Sequence, residues 1–297
     1  MLVCGSLWMA PHAVSAQTFA LPPDKDAVIG SIESTTARYQ DTLLDIARKH
    51  EVGYEAIVAA NPGVDLWLPG DGTRIVLPTR HVLPDAPRTG LVLNLPEFRL
   101  YYYPAPRPGR QRQVVTYPMS IGDADWRTPL GVTQVVSKEK NPSWHPPASV
   151  RAEHVLDGEE LPPIVPPGPD NPLGEFALRL ALPGYLIHGT NKPYGIGTRV
   201  THGCVRLYPE DIARLYSELP IGTPVRIMNR PIKAGWHHGV LYLEVHPPLE
   251  EDRSQSGVTA AAGAVIAATN GRNARVDWDA VARAARERRG VPVAIAR

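Results

Sequence analysis

A histidine, a cysteine and an arginine lie close together in the stretch RVTHGCVRL, residues 199–207. A cysteine thiol is mostly protonated at neutral pH, and a nearby imidazole can take its proton or stabilise the thiolate. His202 lies two residues before Cys204, and Arg206 lies two residues after it. If this segment is extended, the three side chains share one face, because side chains alternate along a strand. The pattern indicates a nucleophilic cysteine.

The residues around this cysteine suggest further roles. Gly203 lets the backbone approach a ligand closely, so the amide N–H groups of Gly203 and Cys204 are candidates for binding an oxyanion. Arg206 is able to pair with a carboxylate or to add positive potential that favours thiolate. A second histidine, His188, ends an apolar strand upstream. Spacing alone favours His202 as the base, because it is nearer to Cys204.

Two other interpretations of the same residues stay open. Two histidines and a cysteine are possible zinc ligands, although no second cysteine pair accompanies them and the spacing is unusual for zinc. The stretch is also compatible with a packed turn that performs no chemistry. We expect no metal and no cofactor at this site.

The N-terminal sequence predicts export. Residues 2–10 form an apolar run that is too short to span a bilayer, and Val-Ser-Ala at 14–16 fits a small-x-small cleavage pattern. We predict a signal peptide over residues 1–16. The alternatives are a flexible apolar tail and a lipid attached to Cys4. Cleavage after Ala16 leaves Cys204 as the only cysteine, which excludes an intramolecular disulfide. A lone thiol in an oxidising compartment is either buried and inert or kept for its reactivity.

Bulk composition excludes several classes of function. The net charge is +1 and charged residues make up 21% of the 297 residues, so the chain lacks the excess of basic residues that is typical of nucleic-acid binding. No segment is long and apolar enough to predict a transmembrane helix. The 32 prolines favour strands, turns and rigid loops over long helices.

The chain divides into segments of different character. Residues 17–36 are polar and weakly patterned, which predicts a linker. Residues 37–80 predict a small βααβ unit with helices over DTLLDIARKH and YEAIVAANPG. Residues 89–229 predict a mostly β sandwich or barrel with one helix, over YPEDIARLYSELP. Within it, the proline-rich stretch 141–176 reads as a long loop, and residues 230–297 as a C-terminal extension.

Residues 89–229 resemble the YkuD-type L,D-transpeptidases of Gram-negative bacteria. The blocks that carry the resemblance are RTPLG, NPSWHPP, VPPGPDNPLG, IHGTNKPYGIG and THGCVRLYPEDI. The resemblance implies a YkuD-like β fold in which Cys204 is the nucleophile and the upstream His188 is the general base. It also implies that the Gly189 carbonyl orients the His188 ring, while His202 and Gly203 contribute to the oxyanion environment. The residues expected to contact substrate are Arg206, Thr201, Tyr194 and Trp144.

Residues 37–80 resemble a LysM domain through DTLLDIA, ANPGVD and LPGDGTRIVLP. This resemblance implies binding to the glycan of peptidoglycan. A generic small α/β packing unit is the alternative.

Together the two resemblances imply a periplasmic L,D-transpeptidase that acts on peptidoglycan stem peptides. The expected products are 3-3 cross-links or an envelope lipoprotein attached to peptidoglycan. The alternatives are a cell-wall binding protein with a silent β domain, and an L,D-carboxypeptidase or other cysteine hydrolase.

Overall fold

The protein is mostly β, as predicted, and is described here from a computed structural model that covers residues 16–156 and 158–297. The signal peptide predicted at 1–16 lies outside the described residues except for Ala16. No helix in these described ranges is long and apolar enough to cross a membrane. The strands are β1 (Gln17–Ala20), β2 (Val28–Gly30), β3 (Glu33–Thr36), β4 (Arg74–Leu77), β5 (Arg80–Val82), β6 (Gly90–Asn94), β7 (Arg99–Tyr103), β8 (Gln113–Pro118), β9 (Ile121–Gly122), β10 (Gly131–Lys140), β11 (Phe176–Leu180), β12 (Leu186–His188), β13 (Arg199–Thr201), β14 (Val205–Arg206), β15 (Pro224–Met228), β16 (Ile232–His237), β17 (Val240–Val245) and β18 (Val293–Ala296). The helices are α1 (Leu43–Lys49), α2 (Tyr54–Ala60), α3 (Ala148–Leu156), α4 (Pro209–Glu218), α5 (Val258–Thr269) and α6 (Trp278–Glu287).

One nine-stranded sheet organises the region predicted over 89–229. Its strands follow the order β1-β8-β7-β6-β15-β10-β11-β12-β14. Most neighbouring strands are antiparallel, but β6 with β15 and β12 with β14 are parallel. Every strand that the sequence predicts in this region is formed. The last parallel pair is the one that carries the candidate site.

Helix α4 is the helix that the sequence predicts directly after the cysteine motif. It begins with Pro209 and has Glu210 in its first turn, where the partial positive charge of a helix N-terminus favours an acidic side chain. Ile212, Leu215 and Leu219 follow the helical spacing and are each at most 1% exposed in the core under the sheet. This packing holds the start of α4 close to the end of β14.

The long loop at 141–176 contains a helix that the sequence does not predict. Helix α3 lies within it, so the region 89–229 has two α-helices rather than the one expected. Val150 is the only buried residue among those of α3. Because a helix is recognised in sequence by a repeated apolar face, one buried position gives too weak a signal.

The prediction of a linker over residues 17–36 is wrong. This segment forms three short strands, each of which pairs with a distant strand: β1 with β8, β2 with β5, and β3 with β4. Strand pairing depends on backbone hydrogen bonds to a partner, and such short strands leave little alternation in the sequence to reveal them.

The βααβ order predicted near the N-terminus is confirmed, with its first strand at β3 and thus slightly before residue 37. Thr42 caps α1 through a reciprocal capping box with Asp45. The Asn61 side chain donates to the Ile57 carbonyl and both donates to and accepts from the backbone of Val76. These bonds join the end of α2 to β4 and close the unit.

The C-terminal extension at 230–297 forms a core of its own. The sequence predicts a strand and an amphipathic helix here, and both are present as β17 and α6. The structure adds β16, β18 and α5, and apolar residues from the sheet and both helices pack together. Helix α5 is missed by sequence because its alanine-rich stretch is apolar on most sides and shows no helical stripe.

Two carboxyl groups meet where the βααβ unit packs on α4. Glu51 is 2% exposed and Asp211 is 1% exposed. Burial raises the pKa of Glu51 to about 7, although the neighbouring Asp211 side chain lowers it in part. Burial also raises the pKa of Asp211 well above its usual range, and Glu51 raises it further. Next to them, Arg48 and Glu210 form an ion pair at 3.0 Å. The contact between the βααβ unit and α4 is therefore most stable while the two carboxyls carry a proton.

This pair predicts a specific dependence of stability on pH. Because the folded pKa of Glu51 lies above its unfolded value, the folded state binds more protons, and stability falls as pH rises through the interval from about 4.5 to about 7. We expect Glu51→Gln to remove most of this loss and to stabilise the protein at pH 8 by at most about 3 kcal/mol. Urea unfolding at pH 5 and pH 8 measures the effect, with the exposed Glu33→Gln as control. An unchanged pH slope in Glu51→Gln would contradict the assignment.

Candidate active site

The parallel pair β12–β14 brings His188 and the cysteine motif together. His188 is in register with Arg206, and Ile187 with Val205. Paired residues of neighbouring strands project to the same face of a sheet, so the His188 and Arg206 side chains share one face. Cys204 lies two residues before Arg206, directly before the first residue of β14. The upstream histidine, far away in sequence, is thus a direct neighbour of the motif in space.

The His188 ring is buried and fixed in one tautomer. It is 3% exposed, and its Nδ1 lies 2.7 Å from the Gly189 carbonyl oxygen. A carbonyl only accepts hydrogen bonds, so Nδ1 carries the proton and Nε2 keeps its lone pair. Burial lowers the pKa of His188 to about 3, the charge of Arg206 lowers it as well, and hydrogen bonds to the backbone of Gly189 and Leu173 raise it in part. The ring is neutral at neutral pH.

The turn at residues 171–174 packs next to this histidine. The Asn171 side chain is fully buried, donates to the Pro142 carbonyl at 2.8 Å and accepts from the Leu173 amide at 2.9 Å. A Cβ on Gly174 would approach the Thr190 amide nitrogen to 2.8 Å. This turn therefore lies against the segment that follows His188.

The Cys204 thiol is half-buried at the edge of the same ladder. It donates a long hydrogen bond to the Gly184 carbonyl, with the sulfur 3.7 Å from the oxygen. Burial raises the pKa of the thiol, while a hydrogen bond from the backbone of Leu186 and the charge of Arg206 lower it in part. The thiol is therefore protonated at rest.

These opposite shifts favour a neutral thiol and a neutral imidazole over a thiolate–imidazolium pair in the resting protein. The raised pKa of Cys204 and the lowered pKa of His188 both favour neutral groups. Proton transfer from sulfur to Nε2 becomes favourable only when a bound substrate provides a place for the new negative charge. The arrangement suits general-base catalysis coupled to nucleophilic attack.

The expectation that His202, Cys204 and Arg206 share one face is wrong. Gly203 has a φ of +95°, which breaks the extended backbone between His202 and Cys204. His202 turns toward α3 instead: its Nε2 lies 3.0 Å from Glu153 Oε2, and its ring packs edge-on against Trp126. His202 therefore contacts the long loop, whereas His188 lies beside the motif.

The backbone around Gly203 is held in place by threonines. Thr128 Oγ1 donates to the Gly203 carbonyl at 2.9 Å and accepts from the Gly122 amide. Thr201 Oγ1 donates to the Cys204 carbonyl at 2.5 Å. Within the described parts of the chain, the N–H groups of Gly203 and Cys204 donate to no backbone or side-chain acceptor. Both donors remain free to bind a substrate oxygen.

The φ of Gly203 predicts that alanine is poorly tolerated there. A left-handed φ costs a non-glycine residue about 1–3 kcal/mol, and the new Cβ would lie 2.8 Å from Tyr185 Cε1. We expect Gly203→Ala to destabilise the protein by this amount and to slow acylation of Cys204 by a β-lactam. Gly109→Ala is the matched control, because Gly109 has a φ of +68° with no neighbour within 4 Å. Equal acylation rates in the two variants would contradict a role for the Gly203 backbone.

The residues expected to contact substrate occupy different surroundings. Arg206 Nε is buried without a hydrogen-bond partner among the described residues, next to the sulfur and the His188 ring. Tyr194 is 60% exposed in a short turn, next to Gly195, whose carbonyl accepts from Ser120 Oγ. Trp144 exchanges backbone hydrogen bonds with Val165 in its own loop rather than with the motif.

Sequence reasoning missed several residues that build the site. Gly184 accepts from the thiol, Tyr185 packs on Gly203, and Trp126 and Glu153 hold His202. Thr128 had a signal, because it belongs to the block RTPLG that carries part of the resemblance. The other four residues give no signal in the sequence, because their roles arise from contacts between distant segments.

Comparison with known proteins gives one consistent result. A family model described as the L,D-transpeptidase catalytic domain matches residues 88–227. The chain is 45% identical over 242 residues to the probable L,D-transpeptidase YcfS of Escherichia coli strain K12, covering 80% of this chain and 74% of the relative. It is 39% identical over 254 residues to the probable L,D-transpeptidase ErfK/SrfK of that strain, covering 84% and 80%. It is 41% identical over 245 residues to the strain's probable L,D-transpeptidase YbiS, covering 81% and 78%.

Proposed function

The chain belongs to the L,D-transpeptidase family, and from that premise we propose that it transfers an acyl group from a peptidoglycan stem peptide to an amine through a thioester on Cys204. The observation that carries this proposal is the register of β12 with β14. The proposal is supported by a buried, neutral His188 imidazole, whose Nδ1 is paired with the Gly189 carbonyl, on the strand next to the half-buried Cys204 thiol. No other pairing of nucleophile and base is needed for the chemistry.

The first half-reaction makes the thioester. As the Cys204 sulfur attacks the amide carbon between residues 3 and 4 of a tetrapeptide stem, its proton moves to His188 Nε2. The carbonyl oxygen gains negative charge and is held by the free N–H groups of Gly203 and Cys204. When the carbon–nitrogen bond breaks, the imidazolium returns its proton to the departing D-alanine amine. The neutral ring and the thioester remain.

The second half-reaction consumes the thioester. An amine attacks the thioester carbon, His188 takes a proton from the attacking nitrogen, and the sulfur leaves and is reprotonated. The energy of the cleaved amide bond is retained in the thioester, so the transfer needs neither a nucleotide nor a metal. The acceptor is the side-chain amine of a second stem, which gives a 3-3 cross-link, or a lysine of an envelope lipoprotein.

Arg206 is the residue we assign to substrate charge. Its Nε is buried and has no hydrogen-bond partner in the part of the chain that the structure describes, and its side chain lies on the same face as His188. A carboxylate of the stem peptide would satisfy this donor through a charge-assisted hydrogen bond. Tyr194 in the exposed turn and Trp144 in the long loop are proposed as further substrate contacts, and Thr201 donates a hydrogen bond to the Cys204 carbonyl.

The long loop covers the acceptor side in this proposal. Its helix α3 is joined to the motif by the contact of Glu153 with His202. Excluding water from the thioester favours transfer to an amine over hydrolysis. His202 thus positions the loop rather than accepting the thiol proton.

The βααβ unit is proposed to be a LysM domain that binds the glycan of peptidoglycan. It exposes Trp67 by 62% and Leu68 by 77%, apolar side chains that are free to contact a sugar face. The unit contacts the catalytic region through the ion pair of Arg48 with Glu210 of α4 and through the Tyr54 amide, which donates to the Ile196 carbonyl at 2.8 Å. Glycan binding here would keep stem peptides near Cys204. The predicted signal peptide and a periplasmic location belong to the same proposal.

The test follows the fate of a donor stem. Purified protein is incubated with a disaccharide tetrapeptide alone and with an added amine acceptor such as a second stem. We expect release of D-alanine together with a cross-linked product of matching amount. Release of D-alanine with only the hydrolysed tripeptide would favour the carboxypeptidase alternative, and no release from folded protein would favour a binding protein with a silent β domain.

A further inference from the structure

A cluster of two histidines and one aspartate lies away from the cysteine site, where the N-terminal segment meets the C-terminal extension. Asp26 precedes β2, His237 ends β16, and His238 begins the turn between β16 and β17. One ligand atom from each of the three side chains lies within 4.8 Å of the others. His238 Nδ1 is 3.9 Å from Asp26 Oδ2, and the two histidine rings lie 4.2 Å apart, centre to centre.

The backbone fixes the aspartate beside the hairpin. The Ala27 amide donates to the Trp236 carbonyl at 2.7 Å, and Arg88 Nη2 donates to the Asp26 carbonyl at 2.6 Å. Asp26 is 5% exposed. A Cβ on Gly235 would lie 2.8 Å from the Ala27 Cβ, so the two segments are already in close contact. The carboxylate is thus held next to the hairpin before any ligand binds.

The hairpin turn sets the two rings side by side. His238 and Gly239 have φ values of +48° and +80°, the positive pair that a two-residue type I′ turn requires. His237 pairs with Val240 across this turn. His237 Nδ1 is buried and has no hydrogen-bond partner among the described residues. A buried ring nitrogen without a partner is unfavourable, and a cation at this point would supply one.

A second group of potential ligands differs in its charge balance. His81, Glu97 and Glu244 are buried together, but the Lys233 ammonium lies 2.8 Å from Glu97 and 3.2 Å from Glu244. These carboxylates already have their counter-ion, and a metal would have to displace it. Among the described residues, no ammonium pairs with Asp26, His237 or His238, although the charge of Arg80 is close enough to lower the pKa of His237 in part.

We propose that Asp26, His237 and His238 bind one divalent transition-metal ion of the zinc class. Two imidazole nitrogens and one carboxylate oxygen are a donor set that suits Zn²⁺ with a water as fourth ligand. Tetrahedral ligands at about 2.0–2.2 Å from the metal lie about 3.3 Å from one another. To bind an ion, the three ligand atoms would therefore have to approach one another by about 1 Å or a little more. His238 is the exposed member, and it leaves the solvent side open for the water.

Such an ion would act as a cross-link between distant parts of the chain. Asp26 lies near the N-terminus, whereas both histidines belong to the C-terminal extension. An ion that binds the folded chain and not the unfolded one stabilises the fold. The site lies apart from Cys204, His188 and His202, so this role is independent of the proposed acyl transfer. No metal is expected from the sequence, because these three residues are brought together only by the fold.

The experiment uses the full chain without a polyhistidine tag, with Cys204→Ser so that the thiol cannot bind the probe. After treatment with a chelator, we expect one equivalent of Co²⁺ to give the visible absorption of a tetrahedral site. One equivalent of Zn²⁺ should displace the Co²⁺ and raise the Tm. Asp26→Asn and His238→Asn should each weaken binding at least about tenfold, the loss typical of even an outer-shell partner, and asparagine suits the turn at 238.

His145→Ala is the matched control, since His145 is an exposed histidine in the long loop. It should bind one equivalent with unchanged affinity. The metal-free Tm of the two asparagine variants verifies that they fold. The proposal is overturned if the parent protein binds no Co²⁺, or if folded Asp26→Asn and His238→Asn variants bind it as tightly as the parent does.

Discussion

Replacing Cys204 with alanine is expected to abolish both covalent labelling and transpeptidation. A carbapenem is a strained acyl donor, and attack by the Cys204 sulfur opens its ring and leaves the drug attached as a thioester. Intact-mass spectrometry of the parent protein should show one adduct per chain. Cys204→Ala should show none, because the chain has no second cysteine once the predicted signal peptide is removed.

The expected size of this effect follows from the chemistry. Loss of the nucleophile removes the covalent route entirely, so the remaining rate should be that of the uncatalysed reaction with a bound donor. Cys204→Ser is the second variant, because a hydroxyl fills nearly the same space and preserves the fold while being a far weaker nucleophile. An adduct of unchanged yield in either folded variant would mean that another group is acylated.

Replacing His188 with alanine is expected to slow acylation by about 10²–10⁴-fold, the usual contribution of a general base. His202→Ala should slow it by less than about tenfold, because a partly exposed ion pair such as that with Glu153 contributes at most about 1 kcal/mol. The pair of variants distinguishes the buried ring beside the motif from the ring that is nearer in sequence. Single-turnover labelling by a carbapenem gives both rates.

One further variant keeps this comparison interpretable. His188 is buried, so alanine leaves a cavity. His188→Gln retains a donor for the Gly189 carbonyl and should lose as much rate as alanine with less loss of stability. Equal losses in His188→Ala and His202→Ala, in folded protein, would refute His188 as the base.

The pH profile of acylation provides a separate check on the same residue. Burial lowers the pKa of His188 to about 3, so the neutral base is fully populated above about pH 5. The rate should therefore be flat between about pH 5 and 7 and should fall only in more acidic solution. An acidic limb centred at the ordinary histidine pKa of about 6.5 would show that the base is not buried as described.

The strands and the main helix were largely predictable from the sequence. The alternation along β15 and the 3-4 spacing of Ile212, Leu215 and Leu219 are local patterns set by which side of each element is buried. β6 and β7 are short apolar runs that are buried on both faces. Where burial left no such pattern, prediction was wrong or incomplete. β1 is a short strand on the sheet edge, α3 buries one residue, and α5 is apolar on most sides.

The chemistry of the site was also visible in sequence, but its geometry was not. The types and order of His202, Gly203, Cys204 and Arg206 indicate a nucleophile with an oxyanion site, and the resemblance added His188. Spacing alone favoured His202, and only the φ of Gly203 shows why that ring turns away toward Glu153. A backbone torsion at one glycine changes which side chains share a face, and the residue letters do not reveal it.

The sequence by itself determined the family, the reactive residue types and most of the regular elements, because each depends on neighbours within a few residues. Only the tertiary structure decided that β12 pairs in parallel with β14, that burial makes His188 and Cys204 neutral at rest, and that Asp26 meets His237 and His238. Each of these depends on which distant segments exclude water from one another or exchange hydrogen bonds. That information lies in the packing of the whole chain.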